Sequence, residues 1–241
     1  MFTDKNIHLK EVDSTNTYTI NLKNTNVFKD GLVVSTDFQT EGKGQRGSCW
    51  ESEHGKNILL TAVFELDLKL YHQFEISKIV AVSIVEFLEG LGLRALIKWP
   101  NDILIDKQKV AGVMIQNMIT KNTISHSVIG IGLNVNQLKF LDYNPTATSL
   151  KLKLDSEFVI SDLRKELLEI LGVNLFDFKN GKVFDELYYN HFFMKDKIAV
   201  FESSNQKFNG IIKGVSANGL LQIETEDTLK QFDLKQVKML F

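Results

Sequence analysis

Hydrophobic and polar positions are spaced along this chain in two ways, one typical of strands and one typical of helices. Strict alternation or a compact apolar run occurs at residues 7–9, 31–37, 57–65, 94–99, 103–105, 110–115 and 123–135. Within 71–91 and 161–172 the apolar residues instead recur every three or four positions, which is the spacing of an amphipathic helix. We predict that Ser161 caps the second of these helices, and that shorter helices follow residue 14 and occupy 183–193. The pattern therefore predicts strands and helices mixed in one body.

From about residue 195 the pattern changes to short strands alone. The strand candidates are residues 198–200, 208–215, 220–224 and 231–240. Asn218-Gly219 is a strong hairpin signal, because both residue types tolerate the positive φ angles of a tight turn. We predict a main domain over residues 1–194 and a small β-barrel over residues 195–241.

Composition narrows the class of protein. The chain has 241 residues, of which 44% are hydrophobic and 24% charged, so it can bury a sizeable core. Its net charge of −2 gives no global electrostatic basis for nucleic-acid binding. Cys49 is the one cysteine, which excludes an internal disulfide and a multi-cysteine zinc site. No apolar run reaches the roughly 18 to 20 residues that a membrane span needs, and no signal peptide is evident. We expect a soluble protein of the reducing cytoplasm, with no membrane partner.

Residues 97–116 carry the densest candidate chemistry. Pro100 lacks the N–H that a central strand needs, so the chain must turn there as it presents Asn101 and Asp102. The next two strand candidates predict a hairpin, and that hairpin would hold Lys98 and Lys109 beside the same turn. Such a rigid frame suits a polyanionic ligand.

A glycine-rich segment, GKGQRG at residues 42–47, is the second candidate. It fits the dinucleotide pattern G-x-G-x-x-G, but a strand follows it where that fold requires a helix. One interpretation is a flexible cover whose backbone N–H groups, with Lys43 and Arg46, wrap a phosphate or carboxylate. The other is an exposed loop with two solvated charges.

Two smaller features each allow two interpretations. Ser14 or Thr15 can cap a helix, or can present a hydroxyl to a ligand at the helix start. Gly130 and Gly132 can mark a bulge or tight packing, or can leave room for a ligand. Asn134 lies at the end of the same strand.

Several familiar kinds of active site are absent from the sequence. There is no P-loop, no nucleophile elbow, no histidine that pairs with Cys49 and no metal-type spacing among the five histidines. The glycine-rich loop with its two cations and Trp50, the turn at residues 98–102 and Lys109 together favour an ATP site. A reaction in which the substrate's own carboxylate attacks the α-phosphorus of ATP needs no protein nucleophile, only cations and positioning.

Taken in order, the motifs resemble those of the biotin protein ligases. The segments that carry the resemblance are Asp13-Ser14-Thr15-Asn16, Gln39 with residues 42–50, KWPNDIL at 98–104, KVAGV at 109–113 and GIGLNVN at 130–136. The resemblance covers nearly the whole chain. It implies an α+β fold, in which helices pack against a mixed β-sheet of the class II aminoacyl-tRNA synthetase and biotin ligase type, followed by a small SH3-like barrel.

The resemblance also implies a two-step reaction. Biotin and ATP would give biotinyl-5′-adenylate and pyrophosphate, and a lysine of a carrier protein would then take the biotin. On the biotin side the implied residues are Ser14, Thr15, Asn16, Gln39, Gly42, Lys43, Lys98 and Gly112. Ser14, Thr15 and Gln39 would hydrogen-bond the ureido ring, while Lys98 would hold the carboxylate and stabilise the charge that develops on the α-phosphate.

On the nucleotide side the implied residues are Lys43, Gln45, Arg46, Trp50, Asn101, Lys109 and Asn134. Asp102, with Asn101, would position ATP and the Mg²⁺ that ATP carries, so Lys43, Lys98 and Asp102 are the expected catalytic residues. Lys43 and Gln45 stand where the family usually has arginine, Ser48 replaces a basic residue and Gln116 an acidic one. Because lysine lacks the planar fork of arginine, we expect a weaker hold on phosphate, or reliance on Arg46, and a leakier adenylate.

The implied partner is the biotin carboxyl carrier domain of acetyl-CoA carboxylase or a related carboxylase. Some family members carry an N-terminal winged helix that binds DNA. This sequence begins directly with the strand at Ile7, so we expect no DNA role. Homodimers occur in the family, and no feature of this sequence decides between a monomer and a homodimer. Two alternatives also remain: a lipoate or octanoate protein ligase or transferase, and a biotin-binding module without catalysis.

Overall fold

A seven-stranded mixed sheet forms the centre of the protein. The computed structural model describes residues 6–142 and 145–240, except for the side chain of Arg46. The strands of the sheet are β1 (Asn6–Leu9), β2 (Val33–Thr36), β3 (Asn57–Lys69), β4 (Leu96–Lys98), β5 (Asp102–Ile105), β6 (Gln108–Thr120) and β7 (Thr123–Asn134). Their order is β1-β2-β3-β7-β6-β5-β4, and β1 and β2 form its parallel pair. The other neighbours are antiparallel, and β4 to β7 follow one another as hairpins with short turns.

Helices cover the two faces of this sheet unequally. The helices are α1 (Thr15–Asn21), α2 (Phe74–Gly90), α3 (Leu150–Leu154), α4 (Ile160–Lys179) and α5 (Asp185–Asn190). Helices α2 and α4 pack on one face, where side chains such as Ile58, Leu60 and Phe64 alternate inward along β3. The opposite face has a smaller apolar cluster near α1 and leaves the centre of the sheet to polar residues. Over the described ranges, no helix combines the length and apolar character needed to cross a membrane.

A second, five-stranded antiparallel sheet follows at the C-terminal end. Its strands are β8 (Ile198–Ser203), β9 (Gln206–Val215), β10 (Leu221–Glu224), β11 (Leu229–Phe232) and β12 (Lys238–Leu240), in the order β11-β10-β9-β8-β12. We call this sheet and its turns the barrel. Its apolar core is continuous with that of the main sheet. The Trp99 indole Nε1 donates a hydrogen bond of 2.9 Å to the Gly219 carbonyl, so the barrel contacts the turn between β4 and β5.

Three element predictions are corrected by the structure. Helix α4 begins at Ile160 with Val159 at its N-cap and no side-chain capping bond, so Ser161 lies within the first turn. Helix α3 was not predicted, and Ser149 caps it by accepting from the Leu152 N–H at 3.3 Å. Residues 231–240 form parts of β11 and β12 with a turn between them, not one strand.

Candidate active site

The centre of the candidate site is a row of residues that lie side by side across four strands. Lys98 pairs with Asp102, Asp102 with Gly112, and Gly112 with Gly132. Side chains alternate between the two faces along each strand, so register puts this row on one face. The flanking Ile97, Ile103 and Ala111 belong to the core beneath the helices, so the row lies on the face away from α2 and α4. The two glycines leave the middle of the row as bare backbone.

Charged side chains at one end of the row form a compact cluster. The carboxylate of Asp102 lies between two ammonium groups, with Lys109 Nζ 2.5 Å from Oδ1 and Lys98 Nζ 3.6 Å from Oδ2. Asn101 faces β6, where its Nδ2 donates to the Val113 carbonyl at 2.7 Å. The cluster therefore has more positive than negative charge and is suited to attract an anion.

The indole of Trp50 covers the bare backbone of the row. A Cβ on Gly132 would lie 2.5 Å from Trp50 Cε2, and a Cβ on Gly112 would lie 3.0 Å from Cζ3. The Lys109 ammonium lies 5.5 Å from the centre of the indole ring. The glycines of β6 and β7 are therefore required by close packing of an aromatic side chain.

Trp50 is placed by the glycine-rich loop, which folds back on itself between β2 and β3. The Gly44 N–H donates to the Ser48 carbonyl at 2.7 Å, and the Trp50 N–H donates to the Gly42 carbonyl at 2.9 Å. A Cβ on Gly42 would lie 2.4 Å from the Trp50 carbonyl oxygen, so this closure requires glycine there. Helix does not follow the loop, which confirms that it is not a dinucleotide fingerprint.

The two basic residues of this loop differ in what the structure describes. The Lys43 ammonium donates to Thr17 Oγ1 of α1 at 3.0 Å, and Lys43 is an exposed residue. The Arg46 side chain lies outside the described residues. Gln45 begins a short 3-10 turn, and its carbonyl accepts from the Ser48 hydroxyl at 2.9 Å.

A network of hydroxyl and amide groups forms the opposite end of the site. Gln39 Oε1 accepts from the Thr15 N–H at 2.8 Å and from the Thr15 hydroxyl at 3.1 Å. Thr61 Oγ1 lies 2.8 Å from Thr15 Oγ1 and 2.5 Å from Asn16 Oδ1. Ser14 occupies the N-cap position of α1, as the capping interpretation predicts, but its side chain makes no capping hydrogen bond.

The Asn16 side chain packs against Gly130, the other glycine of β7. Its Nδ2 donates to the Met114 carbonyl at 3.3 Å, and a Cβ on Gly130 would lie 2.2 Å from its Oδ1. The amide therefore takes the space that any side chain at 130 would need. Tight packing, rather than a bulge, accounts for both glycines of this strand.

Two adjoining cavities lie along this face. The first, of about 410 Å³, extends from Thr15 and Gln39 to Asp102 and Lys109. The second, of about 320 Å³, has Phe140, Pro145 and Asn134 among its lining residues. Both are lined by Ser48, Cys49, Trp50, Asp102 and Lys109. The charged cluster and the indole therefore lie where the two cavities meet.

Two residues of the cavity walls each have a buried polar atom without a hydrogen-bond partner, Trp50 Nε1 and Asn134 Oδ1. The Asn134 side chain is only 3% exposed, and its Nδ2 donates to the Thr148 carbonyl at 3.0 Å. An unpaired buried donor or acceptor costs free energy, so both residues are held in place here by the packing around them.

The structure brings together nearly all of the predicted site residues. The predicted residues that line one or both cavities are Ser14, Thr15, Asn16, Gln39, Lys43, Gln45, Trp50, Lys98, Asn101, Asp102, Lys109, Gly112 and Asn134. Gly42 holds the loop closed behind them. Sequence reasoning missed Thr61, Phe140 and Lys235. Thr61 is the one polar residue within the apolar run 58–64, which is a usable signal, whereas Phe140 and Lys235 lie in segments without periodicity.

Comparison with known families gives an independent result. The family described as the biotin/lipoate A/B protein ligase family matches residues 9–134, more than half of the chain. Among curated proteins, the bifunctional ligase/repressor BirA of Bacillus subtilis is 33% identical over 109 residues, and that of Escherichia coli is 30% identical over 128. These matches cover 45% and 53% of this chain but 34% and 39% of the relatives, so the chain spans well under half their length. Biotin–protein ligase 2 of Arabidopsis thaliana is 27% identical over 220 residues, covering 83% of this chain and 64% of the relative.

Solved structures of biotin protein ligases resemble this protein over nearly the whole chain. The biotin protein ligase of Aquifex aeolicus in complex with biotin and ATP superposes with a TM-score of 0.78 at 26% identity, covering 98% of this chain and 99% of that one. The Leishmania major ligase in complex with biotinyl-5-AMP has a TM-score of 0.61 at 20% identity, covering 95% and 99%, and shows the fold alone. The mixed sheet with packed helices and the C-terminal antiparallel sheet are thus the architecture of biotin protein ligases, as predicted.

Proposed function

Because the chain belongs to the biotin/lipoate A/B protein ligase family, we propose that it activates biotin with ATP and transfers it to a lysine of a biotin carboxyl carrier domain. The observation that carries the proposal is the charged cluster of Lys98, Asp102 and Lys109 at the junction of the two cavities. A reaction between two substrates needs them to meet at one point, and a carboxylate that attacks a phosphate needs positive charge at that point.

The first cavity would hold biotin. Its polar end, built from Thr15, Gln39 and Asn16, offers both donors and acceptors, which a ureido ring requires. The length of the cavity then directs the valeryl carboxylate towards Lys98 and Lys109. The A. aeolicus ligase, crystallised with biotin and ATP, supports this choice of substrates.

The second cavity would hold the nucleoside of ATP. Phe140 and Pro145 would provide apolar surface for the base, and Asn134 would adjoin it in the wall of the same cavity. The phosphates would then lie beside Lys98 and Lys109.

In the first step, an oxygen of the biotin carboxylate would form a bond to the α-phosphorus, and the bond from that phosphorus to the pyrophosphate oxygen would break. Lys98 would hold the carboxylate against repulsion by the phosphates and stabilise the charge that develops on the α-phosphate. Asp102 would fix the position of both ammonium groups. Closure of the residues 42–50 loop, with Lys43 on its edge, would keep water away from the adenylate.

Magnesium would enter with ATP rather than bind a resident site. The described part of the chain has no group of three or more His, Cys, Asp or Glu side chains that could hold a metal. The carboxylates among the described lining residues are Asp102, which is already paired with two lysines, and Glu51, which accepts from the Leu141 N–H at 3.2 Å. Such a donor set does not fit a cation held by the protein, whereas Mg²⁺ is commonly bound through substrate phosphates. The role of Asp102 towards magnesium stays a prediction.

In the second step, the neutral amine of the carrier lysine would attack the biotinyl carbonyl. An amide bond would form, the carbonyl–phosphate bond would break and AMP would leave. We propose the carrier domain of acetyl-CoA carboxylase or a related carboxylase as the acceptor. We also propose residues 1–194 and 195–241 as the two domains.

Pyrophosphate release tests the proposal. The protein should release pyrophosphate with ATP and biotin, and should add one biotin mass to a purified carrier domain but not to a variant whose acceptor lysine is arginine. Release with lipoate and not with biotin would instead assign a lipoate ligase. Binding of biotin with no release of pyrophosphate would identify a binding module.

A further inference from the structure

The barrel contributes a turn to the wall of the first cavity. Leu234 and Lys235, between β11 and β12, line this cavity together with Pro100, Asn101 and Asp102. They also line the neighbouring cavity of about 390 Å³ between the barrel and the turn at Pro100. A residue far from every recognised motif therefore reaches the place where the phosphates of ATP are expected.

This turn is held in a defined shape. The Gln236 N–H donates to the Asp233 carbonyl at 3.0 Å, while the Asp233 N–H donates to Gln236 Oε1 at 2.7 Å. The Leu234 N–H donates to Asp233 Oδ1 at 2.6 Å. Lys235 has a φ of 67°, in the left-handed region that residues other than glycine and asparagine adopt at a cost. A lysine is thus presented at a position where its backbone conformation is unfavourable.

The charges around the cavity show what this lysine could supply. Among the described lining residues, the charged ones are Lys43, Asp102, Lys109 and Lys235. Gln45 lines the same cavity but carries no charge, at the loop position where the resemblance leads one to expect arginine. Among the described residues of the loop that line this cavity, Lys43 is the one cation, so a cation from another element would add to the attraction that Lys98 and Lys109 exert on three phosphates.

We propose that Lys235 of the barrel binds the β- and γ-phosphates of ATP, and so replaces a cation that the glycine-rich loop lacks at Gln45. This inference rests on the proposed function, because it takes ATP as the ligand. The barrel would then be part of the ATP site. Departure of pyrophosphate would release the contact, which makes Lys235 a phosphate-binding residue and not a nucleophile or a base.

The test is a set of matched substitutions with ATP and biotin titrated separately. Lys235→Asn removes the charge and keeps a residue that tolerates the left-handed conformation. Its KM for ATP should rise about tenfold, the loss expected for one charge-assisted phosphate contact, while the KM for biotin stays the same. Lys235→Arg should behave as the native protein. The control is Lys121→Asn, since Lys121 is exposed in the β6–β7 turn at a φ of 48°.

A second-site variant separates phosphate binding from a structural role. Gln45→Arg in the Lys235→Asn background should recover most of the ATP affinity, because the cation returns to the same cavity from the other side. An unchanged KM for ATP in Lys235→Asn would overturn the proposal. So would an equal loss for ATP and biotin that Gln45→Arg fails to restore.

Direct binding distinguishes failure of this inference from failure of the proposed function. Calorimetry with magnesium and a non-hydrolysable ATP analogue needs no catalysis. Weaker binding by Lys235→Asn supports the phosphate contact even if biotin gives no pyrophosphate, and equal binding overturns it. If Lys235→Asn does not fold, Lys235→Gln is measured in its place against the same two criteria.

Discussion

At the scale of single residues, Asp102 determines how the two lysines of the site are arranged. Its two carboxylate oxygens face different ammonium groups, so one negative charge orients two positive ones. The distances differ, and Lys109 is the closer partner at 2.5 Å. Lys98 is therefore the lysine that can turn towards a ligand without leaving Asp102 unpaired.

We predict that Lys98→Ala lowers the rate of pyrophosphate release at least about a hundredfold, because one donor to a developing negative charge is lost. The free energy of unfolding should change little, since Asp102 keeps its contact with Lys109. Release of pyrophosphate and thermal unfolding measure the two effects. Lys165→Ala, on the exposed face of α4, is the control and should alter neither. Full activity of Lys98→Ala would refute the role given to this lysine.

Gly132 supports the site through its missing side chain. A methyl group there would lie 2.5 Å from the Trp50 indole, so Gly132→Ala must displace the ring. We predict an overpacking loss of about 1–3 kcal/mol in the free energy of unfolding. The KM for ATP should also rise. Gly90→Ala is the control, because the nearest atom to its new methyl lies at 4.0 Å and alanine suits a helix. Unchanged stability and KM in Gly132→Ala would contradict this account of the glycine.

Much of the candidate site could be predicted from sequence, because its motifs are short and local. The turn at Pro100, the polar cluster after Asp13 and the loop ending at Trp50 are each contiguous in the chain, and the structure brings them to one pair of cavities. Lys235 could not be predicted. It reaches the cavity only because the barrel packs against Trp99, a contact between segments more than a hundred residues apart.

At the scale of secondary-structure elements, a buried lysine connects α2 with α5. Lys78 is 4% exposed and donates to Glu75 at 2.9 Å and to Asp185 at 2.5 Å. Burial by itself would lower the pKa of Lys78, but the hydrogen bonds to Asp185 and Glu75 outweigh it, and the pKa is raised above its usual value of 10.5. The folded state therefore favours the charged lysine.

The pH dependence of stability follows from the raised pKa of Lys78. A pKa that is higher in the folded state contributes stability below about pH 10.5, and this contribution is lost as pH rises through the folded value. We predict that Lys78→Met lowers the free energy of unfolding at neutral pH by about 1–3 kcal/mol, because Glu75 and Asp185 lose their partner. The native protein should lose this advantage in strongly alkaline solution. Urea unfolding across pH measures both effects.

Lys165→Met provides the control for Lys78→Met. Lys165 lies 3.9 Å from Glu169, and its side chain is 75% exposed. A solvated pair of this kind contributes about 0–1 kcal/mol, so the control should remain close to the native protein at every pH. If the difference between native protein and Lys78→Met were the same at pH 7 and pH 11, the ion pair would not be its source.

Periodicity predicted the middles of the elements better than their ends. Strands β3 and β6 each run several residues beyond the predicted apolar runs, because pairing with a neighbour continues where the apolar pattern stops, whereas β7 matches its predicted run to within one residue. Helix α3, with five residues, is shorter than the window in which a helical period can be recognised. Ser161 has the residue type of a cap, but packing of Ile160 and Phe158 starts the helix earlier.

At the scale of the whole molecule, the two sheets share one apolar core. Phe201, Ile212 and Ile223 of the barrel belong to the same buried cluster as the residues beneath α2. The Tyr189 hydroxyl adds contacts of 3.2 Å with both backbone groups of Val215. The barrel therefore has no separate core whose melting would leave the main sheet unchanged.

We predict a single cooperative unfolding transition for the full chain. Circular dichroism and calorimetry should give coincident curves, and the calorimetric and van't Hoff enthalpies should agree. Two resolved transitions would mean that the barrel unfolds independently. That result would also weaken the case for a barrel residue held rigidly at the ATP site.

The two tryptophans of the chain have contrasting surroundings, and this makes them separate optical probes. The Trp50 indole covers bare backbone in the ligand cavity, with its N–H buried and unpaired, whereas the Trp99 N–H is bonded to the barrel. Trp99→Phe would leave an emitter whose fluorescence reports on ligand entry, and Trp50→Phe would leave one that reports on the barrel contact. The chain can thus be followed at both places without any attached dye.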